Sequence, residues 1–198
     1  MRRHVMRGLA LASLVGLLVA PSAWATMYKI DADHSTVGFK IRHLFSKVHG
    51  SFREFQGAFV YVPGQPEQWS AEATIQTASI DTAVGKRDDH LRSKDFFDVQ
   101  RYPALTFKST QVSDATPTGA KLHGMLTMHG VEQPVVLDVT PHGEGKDPWG
   151  NVRSGFTAMA TINRKDFGLA WNQPLETGQL LVGEEVEIVL EIEGIAQP

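Results

Sequence analysis

An all-β chain with one short helix, folded as an antiparallel sandwich or barrel, is what this sequence predicts. Three observations carry the prediction. Apolar residues recur at every second position through most of the chain, the period of a half-buried strand. The runs are short and follow one another closely, with Gly, Pro and Asp clusters between them. Only one segment has the residues to open a helix, and it is too short to stand alone in water.

Ahead of the first strand lies a leader. Arg2, Arg3 and Arg7 form a basic start, Gly8 to Ala20 is an uncharged and mostly apolar run, and Ala23-Trp24-Ala25 places small residues where a signal peptidase reads. The apolar run falls short of the roughly 20 residues of a spanning helix, so export is expected rather than anchoring. Little of a twin-arginine signal accompanies Arg2-Arg3, which favours the general secretory route. Residues 1–25 are therefore assigned as a signal peptide cleaved after Ala25, and residues 26–198 as one domain delivered to the periplasm or secreted.

The leader carries three Arg and no acid, so its removal takes the formal charge from −3 to −6. An acidic chain is a poor nucleic-acid partner by bulk electrostatics. The chain has no Cys, which excludes disulfides, thiolate ligands and a lipid-modified cysteine at the cleavage site. No stable membrane insertion is expected of the released domain. The sequence selects neither a monomer nor a homodimer, and it names no membrane donor or acceptor.

The strands follow in order. Val37, Phe39 and Ile41 alternate with Gly38, Lys40 and Arg42. Phe55, Gly57, Phe59 and Tyr61 keep the same step, as do Ala71, Ala73, Ile75 and Thr77. Leu105, Phe107 and Ser109 follow, then Met125 to His129, Val135 to Val139 and Phe156 to Ile162. The last run is the most regular, with Val186, Ile188, Leu190 and Ile192 opposite Glu187, Val189, Glu191 and Glu193. Turns are expected at Val62 to Pro66 and at Asp114 to Gly119, and a long polar loop at Pro141 to Gly150. About eight strands in an up-and-down barrel enclose a space just wide enough for side chains or for one ligand. Small residues (Ala71, Ala73, Gly57) face the same interior as the aromatics, so a filled core and a cavity both remain open at this point.

The segment from Ser79 to Phe97 stands apart, since it is long, carries both signs of charge and ends in Phe96-Phe97. Asp88 or Asp89 is a natural N-cap for a short helix through Lys94, which Leu91, Phe96 and Phe97 would dock, and Tyr102-Pro103 returns the chain to the sheet. The segment reads as a lid. Arg87, His90 and Arg92 are candidate binding residues, because cationic donors suit phosphate and carbonyl oxygens. The competing reading is that Asp81 and Asp88 neutralise these bases in a structural network.

No G-x-S-x-G, H-E-x-x-H or phosphate-cradling glycine loop is present, and no cofactor is called for. Asp31, His34, Ser35 and His43 hold acid, base and hydroxyl types, which keeps a hydrolase or isomerase as an alternative. His123, Met125 and His129 fall on one face of the expected strand, a soft ligand set that would suit copper, or zinc through its histidines.

Ordered motifs run the length of the domain. They are Asp31-x-x-His34-Ser35, Phe39-x-x-x-His43, Gly50-x-Phe52 and Phe55-x-Gly57, then Ser79-Ile80-Asp81-Thr82, Arg87-Asp88, His90-Leu91-Arg92-Ser93 and Asp95-Phe96-Phe97-Asp98. Pro103-x-x-x-Phe107-x-Ser109, Gly124-x-Leu126-Thr127-x-x-Gly130, Arg164-x-Asp166-Phe167-Gly168-Leu169 and Val182-Gly183-Glu184-Glu185-Val186 complete the set. Together, from about Tyr28 to Gly194, they resemble the YceI-like family of exported bacterial proteins. The resemblance implies an extended lipocalin-like antiparallel β-barrel with an apolar tunnel that holds a polyisoprenoid chain, such as a polyprenyl phosphate or an isoprenoid quinone, without catalysis. A long apolar tail gains roughly 25 cal/mol per Å² on leaving water, so it binds through area. The walls expected to contact it are Val37, Phe39, Ile41, Phe55, Ile75, Leu105, Phe107, Met128, Phe156, Ile162, Ile188 and Leu190, with Phe96 and Phe97 from the lid.

Overall fold

The computed structural model describes residues 25–176, 178 and 180–198, so the expected signal peptide lies outside the described residues except for Ala25. Strands β1 (Thr26–Ile30), β2 (Thr36–His43), β3 (Ser46–Phe52), β4 (Phe55–Tyr61), β5 (Ser70–Gln76) and β6 (Ile80–Asp81) lead to helix α1 (Gly85–Arg92). Strands β7 (Ala104–Thr116), β8 (Gly119–Met128), β9 (Val131–Lys146), β10 (Val152–Asn163) and β11 (Val182–Ala196) follow. All pairings are antiparallel, in the order β1-β4-β5-β7-β8-β9-β10-β11, and β11 returns to β1 to close the ring. The described residues form a closed eight-stranded barrel with one short α-helix.

The ring is extended because β11 serves two partners along one edge. Its end, Gly194 to Ala196, pairs with β1, and its earlier part, Val182 to Glu191, pairs with β2. Strands β1 and β2 are thus one edge broken at Asp31–Ser35. The break keeps its hydrogen bonds: Asp31 N–H donates to the Glu193 carbonyl (2.9 Å), and the Ser35 hydroxyl accepts from Glu193 N–H (3.0 Å). Beyond it β2, β3 and β6 form a flap, and the chain from Thr82 to Pro103, carrying α1, fills the space where β6 no longer reaches β7.

Alternation places the interior as expected. Leu122, Leu126 and Met128 on β8 and Val135, Leu137 and Val139 on β9 are buried, whereas Val136 between them is exposed. Gly124 is required by close approach, since a Cβ there would lie 2.4 Å from the Phe107 ring.

Three local expectations are corrected. The Pro141–Gly150 segment is mostly strand: β9 runs to Lys146, paired with Val152 to Gly155, and only Asp147 to Asn151 turns. Its polarity reflects a strand end projecting past the core, where Glu144 accepts from the Tyr28 hydroxyl (2.7 Å). The β7–β8 strands likewise continue through Asp114, whose left-handed φ of 49° absorbs a bulge, and close only at Thr116–Gly119. The helix starts at Gly85, with Val84 in the cap position, rather than at Asp88 or Asp89. Asp88 is instead buried in its first turns, accepting from the Thr82 N–H (2.9 Å) and hydroxyl. A carboxylate that ties the preceding loop to the helix fixes the lid more firmly than a free cap would.

Candidate functional site

The barrel is hollow. A cavity of about 550 Å³ runs through its interior, lined by residues of every strand of the ring except β1's outer part, together with α1 and the chain following β10. Apolar side chains make the walls. Val37, Phe39, Ile41, Phe156, Ile162, Ile188 and Leu190 point inward yet are only half-buried, because they face this space instead of one another. Ala71 and Ala73 also line it, so the small residues that left filled and hollow cores open in the sequence contribute to room.

The cavity has a closed end and an open end. At the closed end Phe59 stacks on Tyr28 (5.1 Å between centroids) and meets Phe156 edge-on (5.0 Å). Tyr28 and Val62 behind it are fully buried, and the Trp69 indole donates to the Val62 carbonyl (2.9 Å). Arg153 binds three carboxylates outside this end: Asp31 (2.8 Å), Asp147 (2.8 Å) and Glu193 (2.5 Å). Its hydrogen bonds, with those of Asn151, hold the Asp147 carboxyl well below the usual range. Burial, aided by Glu144, pushes the Tyr28 phenol up.

The open end is formed by α1, the β2–β3 hairpin and the described residues between Arg164 and Val182. His90, Phe96 and Trp171 meet in an aromatic cluster, with centroid separations of 4.8 to 5.1 Å. Phe45, Leu44, Val84 and Leu180 are exposed large apolar residues of the hairpin and loops at this end. Lys86, Arg87, His90, His43 and Arg164 line the cavity here.

Of the residues singled out in the sequence, Val37, Phe39, Ile41, Phe55, Ile75, Arg87, His90, Phe96, Phe97, Leu105, Phe107, Met128, Phe156, Ile162, Ile188 and Leu190 all line the cavity. Arg92 does not. Its guanidinium donates to the carbonyls of Ala78 and Ile80 (2.8 Å each) and to Asp89 (3.2 Å), which fastens α1 to the flap. The lid's acids also work differently from the expected base–acid network. Asp81 takes Arg53 (2.8 Å) and the Ala83 N–H, Asp88 takes Thr82, and Arg87 donates to the Thr82 hydroxyl (2.7 Å) and carbonyl (2.8 Å). His90 pairs with Asp95 (2.9 Å).

The alternative centres do not assemble. Asp31 and His34 are hydrogen-bonded (2.9 Å) on the outer surface at the closed end, while His43 stands at the mouth. Asp31, His34 and Glu193 come within metal-ligand spacing, but Arg153 already occupies both carboxylates with a positive charge. His123 bonds the Ser113 hydroxyl (2.7 Å) on the outer face. His129 lies past the end of β8 at φ 53°, against Tyr102 and the Phe167 carbonyl, so the strand face shared by His123 and Met125 does not continue to it.

One residue of the cavity wall escaped the sequence reading. The inward period of β10 (Phe156, Ala158, Ala160, Ile162) continues for one more step to Arg164, which is buried. The period was legible there, but an arginine is not expected to follow it inward.

Residues 28–194 match the YceI-like domain. A UPF0312 protein of Pseudomonas putida strain GB-1 is 41% identical over 191 residues, covering 95% of this chain and 96% of that protein. Among solved structures, Burkholderia cenocepacia BcnA superposes with a TM-score of 0.74 at 26% identity, over 83% of this chain and 99% of BcnA. A polyisoprenoid-binding domain from Saccharophagus degradans shares the fold, with a TM-score of 0.61 at 16% identity, over 86% of this chain and 98% of that domain.

Proposed function

The chain belongs to the YceI-like family, and from that premise we propose that it is a non-catalytic carrier of an isoprenoid-type amphiphile, held tail-first in the barrel. The observation that carries this reading is the cavity itself. It is deep, walled by inward apolar side chains many of which stay only half-buried, and bordered by polar groups mainly at one end. Such a site binds by apolar area and selects tails over compact polar substrates. A catalytic role would call for an acid/base pair facing the cavity, and among the described residues the His–Asp pair at its mouth, His90–Asp95, is a lid contact.

The leader expected at residues 1–25 supports delivery to the periplasm, where such a carrier would move, store or sequester a lipid taken from a membrane. Exposed Phe45, Leu44 and Val84 at the mouth suit that exchange, because they give it an apolar surface beside its charged groups. Native mass spectrometry of the protein purified from its own host is the test. A bound lipid, or stoichiometric uptake of added polyprenyl lipid by the emptied protein, is expected. A protein that stays empty under both conditions would overturn the reading.

A further inference from the structure

Arg164 is the least ordinary residue of the cavity. It is only 2% exposed, yet it carries a charge that no side chain pairs among the described residues. Two thirds of its fork is committed to the protein: Nε donates to the Gly183 carbonyl (2.8 Å) and Nη1 to the Leu169 carbonyl. These bonds fix the guanidinium between the end of β10 and the start of β11. Its Nη2 has no protein acceptor among the described residues. The nearest carboxylate that acts on it, Glu184, is engaged by Lys165 (2.5 Å). A buried cationic donor left in this condition is costly, and native structures rarely keep one without use.

The surroundings share its sign. The titratable residues that line the cavity are His43, Lys86, Arg87, His90, Arg164 and Glu72. Glu72 belongs to the outer face of β5, between inward Ala71 and Ala73 and beside Lys108 on the neighbouring strand. Among the described residues the interior therefore presents positive charge at the open end and no inward-facing carboxylate to answer it.

We propose that Arg164 is the head-group site of the barrel, with Nη2 donating to an oxygen of an anionic head, a phosphate or carboxylate, whose apolar tail fills the cavity. This rests on the carrier reading above and adds the chemistry of the cargo. The head lies inside the mouth rather than on its rim, and Arg87, held by Thr82, adds a second positive charge to the cavity lining.

The experiment compares ligands of one tail, geranylgeranyl phosphate, the matching carboxylate and neutral geranylgeraniol, by displacement of a polarity-sensitive dye from the emptied protein. A charge-assisted hydrogen bond predicts that the two anions bind about 10- to 100-fold more tightly than the alcohol. Inorganic phosphate alone is expected not to displace the dye, which separates a lipid head from a free anion. Arg164→Gln should bring anion affinity down to that of the alcohol while leaving the alcohol within about 3-fold of wild type. Where that variant fails to fold, Arg164→Lys, which keeps the charge, should retain part of the preference. In the wild-type protein the Arg164 side-chain NMR resonances should shift with the phosphate and not with the alcohol. Equal affinity for anion and alcohol, a preference for a neutral quinone of similar tail, or a preference that survives Arg164→Gln would overturn the assignment while leaving the carrier reading intact. If no tail binds at all, it is the carrier reading that fails.

Discussion

The two ends of this barrel are built from similar residue types and put to opposite use. At the closed end the charges are paired in a cluster: Arg153 holds Asp31, Asp147 and Glu193, and Tyr28 bonds Glu144. The aromatic rings there stack on one another, and Tyr28, Phe59 and Val62 are at most 4% exposed. At the open end Phe39, Ile41 and Ile188 are half-buried, Phe45 is 90% exposed, and Arg164 is buried with an unanswered N–H group. The closed end is packed on itself, and the open end leaves apolar area exposed and the Arg164 Nη2 group without a partner among the described residues. Where a small barrel leaves its inward side chains unsatisfied is where its function lies.

Breaking the closed end should cost the most. Phe59→Ala removes a buried ring with two aromatic partners, and a loss of about 3–5 kcal/mol is expected. Thermal unfolding followed by circular dichroism should show a fall on the order of 10 °C. Filling the cavity should instead spare the fold and remove the function. Ala73 lines the cavity, so Ala73→Phe directs a ring into open space rather than into a packed neighbour. Tail affinity should drop by more than about 100-fold, or some 2.7 kcal/mol, with a melting temperature within a few degrees of wild type. Binding that persists would show that the tail lies elsewhere. Truncating an open-end wall gives the direct contrast. Phe39 is half-buried and leans on Phe52 at 6.0 Å, so Phe39→Ala should cost the empty protein no more than about 1.5 kcal/mol, half of full side-chain transfer or less. An equal cost for Phe59→Ala and Phe39→Ala in denaturant unfolding would erase the distinction between the ends.

The period of two was enough to read the barrel walls, because a strand whose face is buried leaves its mark on every second residue. Val186 to Ile192 and Phe156 to Ile162 are inward where that period put them. Three things lay beyond it. The β1–β2 break and the pairing of β11 with both depend on long-range register, and the polar strand β3 shows too little alternation to be found alone. The β9 extension to Lys146 looked like a loop because its residues leave the core while staying in the ladder. Local composition also suggested a copper face, which the left-handed turn at His129 cuts short, and a contact role for Arg92, whose bonds go to Ala78, Ile80 and Asp89 instead. Arg164 marks the opposite failure: the period pointed inward correctly, and the chemistry of the residue argued against believing it.

The smallest expected effect separates the ends by pH. Asp147 and Asp31 are held below their usual pKa chiefly by Arg153, so the folded state binds their protons less readily than the unfolded chain, whose aspartates titrate near about 3.9. The stability they contribute is full above that value and is lost as pH falls through their lowered folded pKa values. The Tyr28 phenol shifts the other way, so its contribution is present below the ordinary tyrosine value of about 10 and declines as pH rises past it. Both limits belong to the closed end, and loss of stability on acidification below about pH 4 should begin there. Asp147→Asn should lower stability near neutral pH and flatten the acid limb, since the group that would have titrated is gone. Denaturant midpoints from pH 7 down to pH 2.5 give the measurement. An acid limb of unchanged steepness in Asp147→Asn would move the pH-sensitive contacts out of the Arg153 cluster, to carboxylates such as Asp81 with Arg53 on the flap, and would make the open end the weaker one in acid.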